Sequence, residues 1–144
     1  MRNNILVVED DWEMTPVWKH ILSKIHPNVK MLWASDLPQA RSLIEQYERD
    51  EDGISLLIAD IFLPDETEES ENELRGIELF REFGHRIPFV VVSSLSEYDY
   101  FNIMKHEEPA AFLHKPLDPD RTIEVIEDIL HLNDPRFGSI GAVS

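Results

Sequence analysis

The chain has 144 residues, 42% of them hydrophobic, which suits one compact domain and leaves little room for a second core. Its 29 Asp and Glu outnumber 13 Lys and Arg, and the formal net charge of -16 repels a phosphate backbone, so no nucleic-acid partner is expected. Without a single cysteine, disulfides, thiolate nucleophiles and Cys-based zinc sites are excluded.

Met1-Arg2-Asn3-Asn4 and the short apolar run behind it have no signal-peptide pattern. No stretch nears the roughly 20 apolar residues that span a bilayer. A cytoplasmic protein with no membrane association is therefore expected. Ile5 to Val8 is a β-branched apolar run that stops abruptly at charge, as a strand buried on both faces does. From Trp12 to Ile25 the residues Met14, Val17, Trp18, Ile21, Leu22 and Ile25 recur at helical spacing, with Pro16 tolerable near the first turn. Val29 to Ala34 is a second strand, and Ser35 or Asp36 then caps a helix carrying Leu37, Ala40, Leu43, Ile44 and Tyr47, ended by Asp50 to Gly53.

A third apolar run, Ile54 to Ala59, also ends on a carboxylate, Asp60. The segment Asp65 to Glu73 follows, with six acidic residues and no apolar one, and reads as a solvated loop that repels itself. Ile77, Leu79, Phe80 and Phe83 form the next helix stripe, closed by Gly84. Ile87 to Val92 is the fourth strand, Glu97 to Glu107 a helix, and Ala110 to His114 the fifth strand. Asp118-Pro119 caps a last helix bearing Ile123, Val125, Ile126, Ile129 and Leu130. Strands alternating with helices predict an α/β, doubly wound parallel sheet with helices on both faces. In such folds ligands gather at the carboxyl ends of the strands.

Those ends carry Glu9-Asp10-Asp11, Asp60, Ser93-Ser94 and Lys115-Pro116. Clustered carboxylates raise one another's pKa unless a cation sits among them, and an oxygen-only donor set suits Mg²⁺ or Mn²⁺. A lysine and a serine hydroxyl beside them supply a positive point charge and a hydrogen-bond donor for phosphoryl oxygens. Together they describe an aspartyl-phosphate site.

Four segments resemble response-regulator receiver domains of the CheY-like family. Ile5-Leu6-Val7-Val8-Glu9-Asp10-Asp11 is similar to the family's first strand and acidic pair, and Leu57-Ile58-Ala59-Asp60-Ile61-Phe62-Leu63-Pro64 to its phosphoacceptor motif. Pro88-Phe89-Val90-Val91-Val92-Ser93-Ser94 is similar to the strand ending in the switch hydroxyl, and Ala111-Phe112-Leu113-His114-Lys115-Pro116 to the final Lys-Pro motif. The resemblance implies a flavodoxin-like sheet of five strands in the order 2-1-3-4-5 with five helices, over residues 1–133, and a C-terminal tail over 134–144. It implies Asp60 as nucleophile and Mg²⁺ held by Asp10, Asp60, the Phe62 carbonyl and, through water, Glu9. A one-residue slip making Asp10 and Asp11 the acidic pair stays open. Ser93 and Phe112 are the implied switch pair, and Lys115 pairs with the phosphoryl group. The implied partners are a histidine kinase or histidine phosphotransfer protein and a downstream protein target.

Singly, each residue also has an ordinary structural role. Asp60 suits a loop, Glu9 to Asp11 suit a helix N-terminus, Phe112 suits plain core, and Trp12 packs on the first helix. The six histidines show no metal spacing. The chain departs from the family at Gly76, which follows Asp60 by sixteen residues against roughly half that in the family, so the acidic segment is an insertion, a cheap excursion on a surface loop. Ser93 replaces the commoner threonine, and Ser94 stands where a smaller residue is usual. Three functions compete. The first is a phosphoacceptor receiver, expected to be a diffusible adaptor since no output domain is recognisable. The second is a receiver-like interaction module acting without phosphorylation. The third, a flavodoxin-like binding protein or phosphatase, lacks a Gly-rich phosphate loop.

Overall fold

The computed structural model describes residues 3–25, 29–49, 53–61, 75–104 and 107–133. The elements run β1 (Asn3–Val8), a 3-10 turn (Trp12–Met14), α1 (Thr15–Ser23), β2 (Val29–Ala34), α2 (Leu37–Glu48), β3 (Leu56–Asp60), α3 (Arg75–Phe83), β4 (Phe89–Ser93), α4 (Glu97–Met104), β5 (Ala111–His114) and α5 (Pro119–Asn133). The strands form one parallel sheet in the order β2-β1-β3-β4-β5, as expected from the sequence.

Successive strand residues point to opposite faces, and here both faces are covered. Leu6, Val8, Leu57, Ala59, Phe89 and Val91 pack with Leu37, Ala40 and Ile44 of α2, Ile77 and Phe83 of α3, and Tyr100 and Met104 of α4. Ile5, Val7, Leu56, Ile58, Val90 and Val92 meet Trp18, Ile21 and Leu22 of α1 and Ile126, Ile129 and Leu130 of α5. Between Asn4 near the start of β1 and the polar residues Asp60 and Ser93 that end β3 and β4, the three central strands are apolar on both faces, which is why they read as unbroken runs rather than alternations.

Local chemistry sets the element ends. Asp36, rather than Ser35, caps α2, its carboxylate accepting from Gln39 N at 2.8 Å. Asp118 accepts from Asp120 N at 3.1 Å at the start of α5. The first helix does not begin at Trp12 as an α-helix. Asp11 caps a 3-10 turn by accepting from Glu13 N at 3.0 Å, and the α-helix starts at Thr15, where Pro16 fits because the first turn needs no N–H from it. α4 runs over Glu97–Met104, residues 105 and 106 of the expected helix lie outside the described residues, and Glu107 N donates to Met104 O at 2.7 Å. Of the sequence expectations, the loop Asp65 to Glu73 and the tail 134–144 lie outside the described residues. No helix of the described residues is long and apolar enough to cross a membrane.

Candidate phosphoacceptor site

Parallel pairing of β1, β3 and β4 in register, with Val8 opposite Ala59 and Asp60 opposite Val92, brings the C-terminal ends of these strands to one edge. Glu9 is the first residue beyond β1, held there by Glu9 N donating to Ala34 O at 2.9 Å. Asp60 is the last residue of β3, Ser93 the last of β4, and Lys115 follows β5 with its N–H donating to Ser93 O at 2.8 Å. The Lys115-Pro116 peptide is cis.

Lys115 joins the cluster. Its Nζ donates to Asp60 Oδ2 at 2.6 Å and to Glu9 Oε2 at 2.9 Å. Asp60 is 9% exposed and Glu9 3%, so one ammonium group serves two buried carboxylates. Burial pushes the Glu9 carboxyl up to about 7, against the pull of Lys115, and the nearby charge of Asp60 adds to the rise. Burial alone would lower Lys115, but its hydrogen bonds to Asp60 and Glu9 and their charges outweigh that and hold it above the ordinary lysine value. Lys115 therefore stays charged throughout the neutral range.

The acidic triplet divides its labour. Glu9 turns one oxygen to Lys115 and accepts from Asp11 N with the other at 3.2 Å, whereas Asp11 caps the 3-10 turn. Asp10 is exposed beside them. The carboxylate of the triplet in contact with Lys115 is thus Glu9. Among the described residues no three His, Cys, Asp or Glu side chains are gathered as an ion-binding group, and Phe62 lies outside the described residues. The donor chemistry nonetheless fits a divalent cation. Glu9, Asp10 and Asp60 offer only oxygen, and together they carry more negative charge than one lysine offsets.

Ser93 is fully buried, and its Oγ accepts from Leu95 N at 3.1 Å. Phe112 is half-buried and lies flat on Tyr100, ring centroids 3.9 Å apart at 25°. Tyr100, 6% exposed, is the residue the sequence reading missed. Its spacing of four from Met104 within the expected helix is that of an inward-facing residue, but a contact between a helix and an aromatic on a strand has no sequence signal. Trp12 is 74% exposed, so it does not pack on the first helix as expected. The 3-10 geometry of its turn takes it off the apolar stripe that Trp18, Ile21 and Leu22 form.

Gly76 completes the site from behind. Its N–H donates to Ile61 O at 2.8 Å, and a Cβ here would overlap the Asp60 carbonyl oxygen and come within 2.8 Å of the Asp60 carbonyl carbon. Only glycine lets α3 approach the end of β3 this closely.

No protein-family model and no curated protein matches the chain. Solved structures do. The N-terminal domain of an uncharacterized protein from Wolinella succinogenes is 26% identical, with a TM-score of 0.65 over 90% of this chain and 95% of that one. The non-phosphorylated HemR receiver domain from Leptospira biflexa is 20% identical, with a TM-score of 0.67 over 92% and 98%. A CheY-like response regulator receiver domain from Methanospirillum hungatei is 20% identical, with a TM-score of 0.66 over 90% and 94%. The fold is that of CheY-like receiver domains.

Proposed function

We propose that this receiver-fold chain accepts a phosphoryl group on Asp60 and signals through a surface that responds to it. The observation that carries the reading is the buried Asp60 at the end of the central strand, 2.6 Å from the Lys115 ammonium and beside the buried Glu9. An Asp60 oxygen attacks the phosphorus of a phosphohistidine or of acetyl phosphate. A new O–P bond forms as the bond to the leaving group breaks, and the leaving group departs with that electron pair. Lys115, already on Asp60, is within reach of an oxygen of the incoming phosphoryl group and offsets its charge. Asp10, Asp60, Glu9 through water and the Phe62 carbonyl are the groups that would hold Mg²⁺ or Mn²⁺, whose chemistry there is to neutralise phosphoryl oxygens. Attack by water on the phosphorus later releases inorganic phosphate and restores Asp60.

Ser93 is the residue that converts this chemistry into shape. Its hydroxyl exchanges the Leu95 N–H for a phosphoryl oxygen, to which it donates. Its movement vacates space for Phe112, on the neighbouring strand, to turn inward from its stack on Tyr100. Phosphorylation thereby biases the surface of α4, β5 and α5 between two populations. A histidine kinase or histidine phosphotransfer protein is the donor in this reading, and a downstream protein reads the surface.

The test is intact mass after incubation with acetyl phosphate and Mg²⁺. A phosphoryl adduct is expected on the wild-type chain, absent in Asp60→Asn and absent in EDTA. If no adduct forms on folded protein with Mg²⁺ present, and beryllofluoride does not bind either, the proposal fails and a phosphorylation-independent interaction module replaces it.

A further inference from the structure

We infer that the outer edge of β2 takes an added strand from another protein, an extended segment that alternates apolar residues with carboxylates. The inference does not depend on the phosphoryl chemistry of Asp60, which lies two strands away in the sheet. β2 is a terminal strand, paired with β1 on one side alone. Glu9 N donates to Ala34 O at 2.9 Å, so Ala34 turns its backbone toward β1, and in a parallel ladder every second residue does the same. Lys30 and Leu32 share that phase, whereas Met31 and Trp33 turn their N–H and C=O groups outward. Among the described residues no backbone group from outside the sheet bonds to these two. Such an edge is a template for another strand.

The side chains along this edge are unfinished core. Met31 and Trp33 pack toward α1 but stay half-buried, where Ile5 and Val7, opposite them on β1, are at most 1% exposed. A strand laid beside β2 puts every second side chain against Met31 and Trp33 and covers them. Charge selects the partner. From Met14 to Ser35, the stretch that forms α1 and β2, the chain has Lys19, Lys24 and Lys30 and no Asp or Glu, although its net charge is -16. All three lysines are exposed, and the hydrogen bond that Lys30 Nζ donates to Tyr47 Oη at 3.2 Å leaves its charge in place. The screening length is about 8 Å at physiological salt, so carboxylates farther off than that oppose an acidic segment here only weakly. A second copy of this chain is the poorer occupant. Pairing two β2 edges sets the same lysines against each other and supplies no carboxylate from either strand.

The experiment titrates the isotope-labelled full chain with synthetic peptides at physiological ionic strength, following amide shifts and hydrogen exchange. The probe is a peptide of alternating Val and Glu. One control has Lys for each Glu, a second is N-methylated at alternate backbone nitrogens, and a third has Gly for each Val. The probe is expected to slow exchange at Met31 and Trp33 N–H, and to bind there about tenfold more tightly than any control. Met31→Pro removes one outward N–H and no bond to β1, and is expected to weaken the probe by about fivefold. Lys30→Glu, on an exposed side chain, is expected to weaken it as much without lowering the melting temperature, and keeps the test decisive if the proline disturbs the fold. Equal binding of the N-methylated or the Gly form overturns the inference, since the contact is then charge alone. So does a Lys form that binds this edge as tightly, protection centred on another element, or no protection at about 1 mM probe. A dimer in light scattering that Met31→Pro abolishes also overturns it, and gives the edge to a second copy.

Discussion

At the scale of single residues, Glu9 sets a pH dependence of opposite sign to that of most paired carboxylates. Its folded pKa is raised from 4.5 to about 7, so between these values the folded chain holds a proton that the unfolded chain releases. Stability therefore falls as pH rises through this window, by on the order of 3 kcal/mol, and the loss is complete above about pH 7. Lys115 acts elsewhere on the scale: its raised pKa contributes stability that is fully present below its ordinary value of 10.5 and is lost above it. Urea midpoints in EDTA at pH 5, 6, 7 and 8 are expected to decline in the wild type and to stay flatter in Glu9→Gln. Equal slopes in the two proteins would show that Glu9 is not the group responsible. Gly76 makes a second, purely steric prediction. Gly76→Ala forces a methyl group against backbone that cannot rotate away, and is expected to cost about 1–3 kcal/mol and to slow adduct formation on Asp60. An unchanged rate and melting temperature would mean that α3 shifts to make room.

At the scale of elements, the hydrogen bond from Gly76 N to Ile61 O joins the two ends of the excursion that separates β3 from α3. The two described ends of the excursion are thus tied directly to each other by backbone. Replacing Asp65 to Glu73 with a short Gly-Ser linker is expected to leave the melting temperature within about 3 °C of wild type, because loop length changes closure entropy only logarithmically. A larger fall would assign those residues a structural role. Elements such as β1, β3 and β4 were legible in the sequence because strands covered on both faces need runs of apolar residues, and the polar residue that ends each run, Glu9, Asp60 or Ser93, marks the site edge. The site residues on those edges were legible for the same reason. The division of work among Glu9, Asp10 and Asp11 was not, since it depends on where the chain turns after Val8. Nor was the Tyr100-Phe112 stack, a contact between a helix and a strand that no local periodicity encodes.

At the scale of the whole molecule, the net charge of -16 works against compaction. Ion pairs such as Arg41 with Glu78 and Glu82, linking α2 to α3, and Arg86 with Glu48 bridge elements across the surface, but exposed pairs contribute little each. Raising salt from about 0.01 M to 0.15 M shortens the screening length from about 30 to 8 Å. The melting temperature is expected to rise over that range and then level off. A fall would mean that the bridges outweigh the repulsion. The placement of the last helix has a different consequence, for the order in which the protein becomes foldable during synthesis. β1 is an inner strand of the sheet, and α1 covers it early, yet the other half of that apolar layer is Ile126, Ile129 and Leu130 of α5. Until α5 has left the ribosome, Trp18 and its neighbours have one flank in water. The nascent chain thus keeps this surface unfinished until α5 emerges, and a ribosome stalled short of α5 presents a client for chaperones rather than a domain.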